Sequence, residues 1–253
     1  MDKLVDVYQY EYTFEAAPEV MEKIRCADSL HALISEESVR DLERVDLSRK
    51  GYFAVKRGLD IVLSALGLTV LLIPMAVIGG VIYLDNPGKV IFSQYRVGRY
   101  GKRFKLYKFR TMKTETPKYL ATMELEDPER YITRVGKILR KYSLDEIPQL
   151  INVLKGDMSL VGPRPLISDE YEIHAMRMRF GVYRIRPGVT GLAQINGRDR
   201  MSPEEKVHWD VSYLRQFGPW MDAKILFATV PKVFDGHDVV EGRNKRDKQD
   251  VLE

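Results

Sequence analysis

Residues 61–84 read IVLSALGLTVLLIPMAVIGGVIYL, an uncharged stretch of 24 residues bounded by Asp60 and Asp85. As a helix it would be about 36 Å long, which exceeds the roughly 30 Å of a hydrocarbon core. A helix of a soluble protein normally keeps a polar face over such a length. We therefore predict that this segment enters a membrane.

Basic residues flank the stretch on both sides and indicate how it is placed. Positive charge marks the cytoplasmic side of a membrane segment, so a helix that enters, turns and leaves on the same face places both clusters correctly. An ordinary kinked span is the alternative, and it would leave one cluster outside. The flanking bases are Arg40, Arg44, Arg49, Lys50, Lys56 and Arg57 before the stretch, and Lys89, Arg96, Arg99, Lys102, Arg103, Lys105, Lys108 and Arg110 after it.

Pro74, near the middle of the stretch, supplies a physical cause for such a turn. Proline removes one backbone donor and clashes with the preceding helical turn. The hydroxyl of Thr69 is available to bond the carbonyl that loses its partner. We predict a monotopic, re-entrant helix whose kink lies at Pro74.

The chain also divides by charge. Its net charge is +4, but residues 1–48 hold twelve acids and five bases, a net of −7, so the remainder carries +11. Met1 is followed by acids rather than by a basic and then an apolar region, so no signal peptide is expected. We interpret this part as an acidic extension, either a docking segment or a loosely packed leader. One cysteine, Cys26, permits no internal disulfide, and the scattered histidines argue against structural zinc.

The remaining pattern predicts an α+β fold. Two alternating runs form a basic β-hairpin, followed by a polar loop, two helices with a glycine C-cap, an extended segment, a turn and two amphipathic helices. In order, these elements are 90–95 and 104–109, 114–131, 135–141, 144–154 ending at Gly156, 162–165, 186–191, and 202–233 split at Gly218. The predicted divisions are an extension over 1–48, a re-entrant helix with basic flanks over 49–85, a cytoplasmic domain over 86–235 and a charged tail over 236–253.

Aromatic residues in the last two helices are spaced like anchors at a membrane interface. Packing in a core is the alternative for about half of them. These residues are Trp209, Tyr213, Phe217, Trp220 and Phe227.

The densest polar constellation surrounds the carboxylate pair Asp145-Glu146 in RKYSLDEIPQLINVLKGDMSLVGPRP. If a helix begins here, Asp145 lies at its N-terminus, where the dipole and nearby cations keep a carboxylate ionised. An ionised aspartate can act as a nucleophile or as a magnesium ligand. The alternative for Glu146 is a capping box with Ser143, although Pro148 would then interrupt the helix, which can instead start at Ile147 or Pro148.

Cations near this pair suggest a phosphate ligand. Arg164 lies between two prolines, so its guanidinium sits on a stiff, extended backbone suited to bidentate phosphate contact, with an ordinary surface arginine as the alternative. Lys108 and Arg110 on the hairpin fit either the ligand or anionic lipid. The alternation of aromatics and bases on the hairpin is also found in nucleic-acid platforms, but the adjacent membrane segment favours lipid headgroups. We expect no nucleic-acid partner.

Taken together, these blocks resemble the bacterial sugar transferases, the monotopic polyprenyl-phosphate phosphoglycosyl transferases of the small, single-domain type. The resemblance covers about residues 50–235 and is carried by KRGLDIVLSALGL, RVGRYGKRFKLYKFRTM, LRKYSLDEIPQLINVLKGDMSLVGPRP and RPGVTGLAQINGR. One departure is Ile73-Pro74, where many small members have Ser-Pro. Lys56 and Arg57 match the basic pair at which the family's helix enters the membrane.

The resemblance implies an enzyme that moves a sugar 1-phosphate from a UDP-sugar to undecaprenyl phosphate, releasing UMP. It assigns the pair as the catalytic dyad, with Asp145 as the nucleophile that forms an aspartyl phospho-sugar and Glu146 as its partner in positioning. Both carboxylates are assigned as ligands of Mg²⁺. Such a reaction initiates exopolysaccharide, O-antigen or glycoprotein glycan assembly at the inner membrane, with the catalytic domain facing the cytoplasm. Positions that match phosphate or nucleotide ligands of the family are Arg140, Arg164, Lys108 and Arg198, to which the pattern above adds Arg110.

Two other functions fit the same segments. A catalytically silent membrane adaptor of a glycan-assembly complex would use the acidic extension for recruitment, although it would not need a nucleophile beside arginines. A lipid-phosphate hydrolase would release phosphate or sugar phosphate rather than UMP. The sequence leaves open which UDP-sugar is used, which glycan pathway is served, the role of residues 1–48 and the oligomeric state, a homodimer included.

Overall fold

The structure, a computed structural model, describes residues 50–116, 128–168, 170–197 and 201–235. These parts form a mixed α+β fold with two small two-stranded sheets. The α-helices are α1 (Lys50–Asp85), α2 (Pro128–Tyr131), α3 (Arg134–Lys141), α4 (Gln149–Lys155), α5 (Tyr171–Arg179), α6 (Leu192–Asn196), α7 (Pro203–Gln216) and α8 (Pro219–Asp235), and the strands are β1 (Ile91–Val97), β2 (Arg103–Phe109), β3 (Ser159–Val161) and β4 (Gly188–Thr190).

Helix α1 contains the apolar stretch and is bent. Its limbs Gly51–Val70 and Leu72–Asp85 meet at 60°. The break lies at residue 71, directly after Val70. Val70 is four residues before Pro74, and proline has no N–H to bond its carbonyl and crowds it with the ring. Within the described residues no single unbent helix is both long and apolar enough to cross a membrane. The two limbs of α1 taken together are, by length and composition only. The predicted kink is therefore present.

The predicted role of Thr69 is wrong. Its hydroxyl donates to the carbonyl of Ala65 at 2.9 Å, one turn earlier in the same limb. A threonine in a helix reaches the carbonyl four residues before it, which is not the carbonyl that Pro74 leaves without a partner.

The β-hairpin of β1 and β2 forms as predicted. The strands are antiparallel, with Phe92 opposite Lys108 and Arg96 opposite Phe104. A tight turn joins them, in which Tyr100 and Gly101 both have positive φ. Because side chains alternate along a strand, Lys108 and Arg96 lie on the same face of the hairpin.

The helices that follow differ in part from the predicted pattern. Helices α3, α7 and α8 confirm it, and Gly156 caps α4 with φ of 90°. The helix predicted over 144–154 is a single 3₁₀ turn, Leu144–Glu146, and then α4, because Pro148 prevents a continuous helix. The turn predicted over 186–191 contains β4, which pairs in parallel with β3. Helix α5 was not predicted.

Two apolar clusters fix the hairpin beside these helices. One joins Phe104 and Leu106 of β2 to Val153 of α4, and the other joins Phe109 to Ile82 of α1 and Leu139 of α3. Asn152 of α4 is fully buried and binds the backbone of β2, accepting from the Tyr107 N–H and donating to the Lys105 carbonyl. The turn at Leu144–Glu146 is thus held between the hairpin, α1 and α4.

Lys56 and Arg57 contact other parts of the chain. Lys56 forms a 2.8 Å ion pair with Asp222 of α8. Arg57 donates to the carbonyls of Val153 and Leu154 at the end of α4. The first limb of α1 is therefore fixed to two helices of the domain predicted over 86–235.

The aromatic residues of α7 and α8 divide between core and surface. Tyr213 and Phe217 are buried, whereas Trp220 and Phe227 are 83% and 78% exposed. Several sequence predictions concern residues outside the described ranges: the extension over 1–48, the tail over 236–253, most of the polar loop over 114–131 and the ligand assignment of Arg198.

Candidate active site

The Asp145-Glu146 pair lies on the 3₁₀ turn between α3 and α4. Ser143, which immediately precedes this turn, has a left-handed conformation with φ of 53°, which a non-glycine residue rarely adopts. The turn buries Asp145 to 7% exposure. Local strain that a tight fold sustains is often found beside reactive groups.

The capping box considered for Ser143 and Glu146 is wrong. Ser143 makes no capping hydrogen bond from its side chain. Glu146 instead accepts from Arg164 at 3.0 Å. The left-handed backbone at Ser143 is incompatible with the extended conformation of an N-cap residue. A true capping box occurs at Ser202 and Glu205, at the start of α7.

Three predicted phosphate ligands converge on the pair. Lys108, Arg140 and Arg164 each favour the ionised form of Asp145. Arg140 is oriented by its Nε, which donates to the Thr111 hydroxyl at 2.9 Å. Arg164 is held by Glu146 and is about half exposed. These side chains come from β2, α3 and the segment after β3, so distant parts of the sequence build one site.

Arg96 is a fourth cation at the site, and it was not among the predicted ligands. It lies close enough to Arg164 and Glu146 for their charges to act on it. Burial, together with Arg164, lowers the pKa of Arg96 to about 10. Its Nε is buried without a hydrogen-bond partner among the described residues. Strand alternation alone does not reveal Arg96, because which residues of β1 share a face with Lys108 depends on the pairing register of the hairpin.

Burial dominates the electrostatics of the site. It raises the pKa of Asp145 to about 6, with Glu146 adding to the rise and Lys108, Arg140 and Arg164 opposing it. Burial also lowers the pKa of Lys108 to about 8, against the attraction of Asp145. The cations favour the ionised form of Asp145, as expected, but burial outweighs them, and the residue lies on a 3₁₀ turn rather than at the start of a helix. At pH 7.5 the carboxylate is still mostly ionised, as a nucleophile requires.

A consequence for stability follows from the raised pKa of Asp145. Above pH 6 the buried charge of Asp145 opposes folding. Below the pKa of the unfolded state, near 3.8, the carboxyl is protonated in both states, so this penalty disappears. In EDTA at pH 7.5, Asp145→Asn is expected to stabilise the protein by about 1 to 3 kcal/mol, and the gain should fall away towards pH 4. Thermal unfolding across this pH range measures it. The exposed Glu115→Gln is the matched control, and equal stabilities of Asp145→Asn and wild type at all pH values would contradict the prediction.

Arg110 does not join the other cations. The strand β2 ends at Phe109, so Arg110 leaves the alternation that places Lys108 at the site. Its buried side chain donates to the carbonyl of Asn86 and lies near Asp85. The structure thus places this predicted ligand beside the end of α1, where it links the helix to the hairpin.

The donor set suits one kind of cation. Mg²⁺ keeps several waters and binds through one or two carboxylates together with substrate phosphates, and adjacent Asp145 and Glu146 fit that requirement. Within the described ranges, no cluster of three or more acidic, histidine or cysteine side chains is arranged to enclose a metal. Any ion here would need ligands from a substrate or from water.

The bacterial sugar transferase family, as described by its sequence profile, matches residues 51–236. The match covers the bent helix, the hairpin and all four cations of the candidate site. This protein therefore belongs to the bacterial sugar transferase family.

Individual relatives agree with this assignment. The chain is 42% identical over 191 residues to the UDP-glucose:undecaprenyl-phosphate glucose-1-phosphate transferase of Escherichia coli (strain K12), covering 71% of this chain and 40% of that protein. It is 36% identical over 190 residues to the UDP-N-acetylgalactosamine-undecaprenyl-phosphate N-acetylgalactosaminephosphotransferase of Aeromonas hydrophila, covering 73% and 45%. The chain thus spans less than half the length of either relative.

A more compact relative is matched over most of its length. The exopolysaccharide production protein ExoY of Sinorhizobium fredii (strain NBRC 101917 / NGR234) is 36% identical over 193 residues, which cover 70% of this chain and 84% of that protein.

Proposed function

We propose that this protein transfers a sugar 1-phosphate from a UDP-sugar to undecaprenyl phosphate and releases UMP, the first step in assembling a membrane-linked glycan. The observation that carries the proposal is the buried, ionisable Asp145 beside Lys108, Arg140 and Arg164, with Arg96 close to the adjacent Glu146. Four cations and two carboxylates leave a net charge of +2, which suits a diphosphate. The printed names of the relatives supply the reaction type and the two substrates.

The chemistry proceeds in two displacements at one phosphorus. A carboxylate oxygen of Asp145 forms a bond to the β-phosphorus of the UDP-sugar, and the bond from that phosphorus to the bridging oxygen breaks. The electron pair stays on the bridging oxygen, which leaves as part of UMP. An oxygen of undecaprenyl phosphate then attacks the same phosphorus and displaces Asp145. No net proton transfer is required, so the residues mainly position groups and neutralise charge.

Asp145 and Glu146 would hold Mg²⁺, which supplies further neutralisation of the diphosphate. Arg164 keeps Glu146 in place through their 3.0 Å contact. Arg140 and Lys108, whose charges act on Asp145, would neutralise charge on the reacting phosphate. Arg198, which lies outside the described ranges, is proposed as a further ligand on the resemblance alone.

The acceptor explains the bent helix. Undecaprenyl phosphate is confined to a membrane, so a site beside a re-entrant α1 would meet its phosphate at the cytoplasmic surface. We place the protein at the inner membrane with both ends of α1 on the cytoplasmic side, as the basic flanks favour. The exposed Trp220 and Phe227 of α8 would lie at the same interface.

Thiol labelling tests this topology. In a variant with Cys26 replaced by serine, single cysteines at Gly51 and Lys89 are expected to resist an impermeant thiol reagent in intact cells and to react after permeabilisation. Both positions are exposed, one at each end of α1. Labelling of one position from outside would establish a straight span and overturn the re-entrant arrangement.

Release of UMP tests the reaction. The purified protein in nanodiscs, with Mg²⁺, undecaprenyl phosphate and a panel of UDP-sugars, is expected to release UMP with one preferred sugar and to form the matching lipid diphosphate sugar. Free phosphate or sugar phosphate would instead indicate a hydrolase. No product from a folded protein across the panel would favour the adaptor.

A further inference from the structure

The segment 163–166 is held by its carbonyl groups. Pro163 and Pro165 have no N–H, so the backbone here has fewer donors of its own. Each carbonyl accepts from a different part of the chain. The donors are the Gly188 N–H to Pro163 at 2.9 Å, Arg177 Nη1 to Arg164 at 2.7 Å, Arg96 Nη1 to Pro165 at 3.5 Å and the Val97 N–H to Leu166 at 3.0 Å.

The donor to the Arg164 carbonyl belongs to a buried ion pair. Arg177 of α5 binds Asp210 of α7 through Nε at 2.9 Å and Nη2 at 2.6 Å. Both side chains are 3% exposed. This geometry leaves Nη1 to reach the Arg164 carbonyl. The ion pair therefore joins α7 to the backbone of the residue whose side chain binds Glu146.

A buried ion pair is an inefficient source of stability. Removing two charges from water is unfavourable, and well-packed apolar residues of similar volume are often as stable or more so. What an apolar pair cannot provide at this position is a hydrogen bond to the Arg164 carbonyl. The hydrogen bond from Arg177 to the Arg164 carbonyl is thus what the ion pair provides and an apolar pair does not.

We infer that Arg177 and Asp210 are positioning residues, which fix the backbone at Arg164 so that its guanidinium stays against Glu146. The expected effect on turnover rests on the proposed function, whereas the fixed position of the Arg164 backbone does not. The pair makes no contact with Asp145 in the described structure, so it acts through Arg164.

The test replaces the pair while preserving the fold. In Arg177→Met/Asp210→Leu, apolar side chains occupy the buried space, and kcat is expected to fall about 10- to 100-fold with a smaller change in KM. In an Arg164→Gln background, the same replacement should lower kcat less than twofold, because Arg164 is already absent. Equal losses in both backgrounds would overturn the inference.

The matched control is Tyr213→Phe. Tyr213 is also buried on α7, but its hydroxyl donates to Asp222 at 2.6 Å rather than towards Arg164. Its effect on activity should be the same with and without Arg164. This comparison separates positioning from a general loosening of α7.

A second measurement needs no turnover. Hydrogen exchange of the backbone amides over 164–168 is expected to accelerate at least tenfold in Arg177→Met/Asp210→Leu and to stay unchanged in Tyr213→Phe. Unchanged exchange in the double variant would overturn the inference even for an inactive protein. Absence of UMP from wild type would count against the proposed function alone, so the two failures are distinguishable.

Discussion

Asp145→Asn is expected to lower the rate of UMP release at least about a thousand-fold, while the protein stays folded. The substitution keeps the shape of the side chain but removes the oxygen nucleophile, and no other carboxylate on the turn occupies the same position. Steady-state UMP release in nanodiscs measures the loss. The stability gain expected for the same variant at pH 7.5 gives an independent sign that the loss is chemical rather than structural.

Two further measurements make this prediction sharper. Asp157→Asn removes a carboxylate twelve residues further on, one that binds Asn152 rather than the site, and activity should stay within about twofold of wild type. Without undecaprenyl phosphate, wild type should release one equivalent of UMP in a burst, the signature of a covalent intermediate. Activity of Asp145→Asn within tenfold of wild type would exclude Asp145 as the nucleophile.

Gly188→Ala is expected to destabilise the protein by about 3 kcal/mol and to remove most of its activity. A Cβ at Gly188 would lie 2.1 Å from the backbone nitrogen of Gly162 and 2.6 Å from its carbonyl oxygen. The atoms that would clash belong to β4 and to the residue directly after β3, and they cannot move aside as a flexible side chain can. Separation of β3 from β4 would also displace the Pro163 carbonyl, which accepts from the Gly188 N–H, and with it Arg164.

Thermal unfolding and UMP release, measured on the same preparation, test both parts. The control is Gly58→Ala on α1, where no atom lies within 4 Å of the added carbon and alanine favours the helix. That variant should be at least as stable as wild type. Wild-type stability and activity in Gly188→Ala would show that β3 and β4 do not approach each other as closely as described.

Much of the fold is predictable because its elements carry strong local signals. The alternating runs around Phe104 specify the hairpin, and Pro74 specifies the bend in α1. Helix α5 escaped prediction because residues buried on it include His174 and Arg177, so the apolar pattern of an amphipathic helix is masked. Polar residues buried through specific partners do not have the periodicity that sequence reasoning detects.

The sequence indicates several residues of the candidate site, but not their burial, the direction of their pKa shifts or the orientation of their side chains. In the sequence, Asp145 and Glu146 stand out as a carboxylate pair in the densest group of polar residues, and Arg164 stands out by the stiff Pro-Arg-Pro backbone. The sequence does not reveal how deeply Asp145 is buried, which decides the direction of its pKa shift. It also assigned Arg110 where Arg96 belongs, because strand ends and side-chain orientation depend on the pairing register, which only the folded hairpin specifies.

The contacts of Lys56, Arg57 and Ile82 determine how a water-soluble version of this protein can be made. Helix α1 provides partners for the end carbonyls of α4 at one limb and packs against Phe109 and Leu139 at the other. Deleting residues 50–85 would therefore expose the apolar surface beneath the hairpin and leave those carbonyls unbonded. A soluble variant would need polar substitutions at outward-facing side chains of α1, such as Leu72 and Ile73. Truncation of the chain to begin after α1 would not provide one.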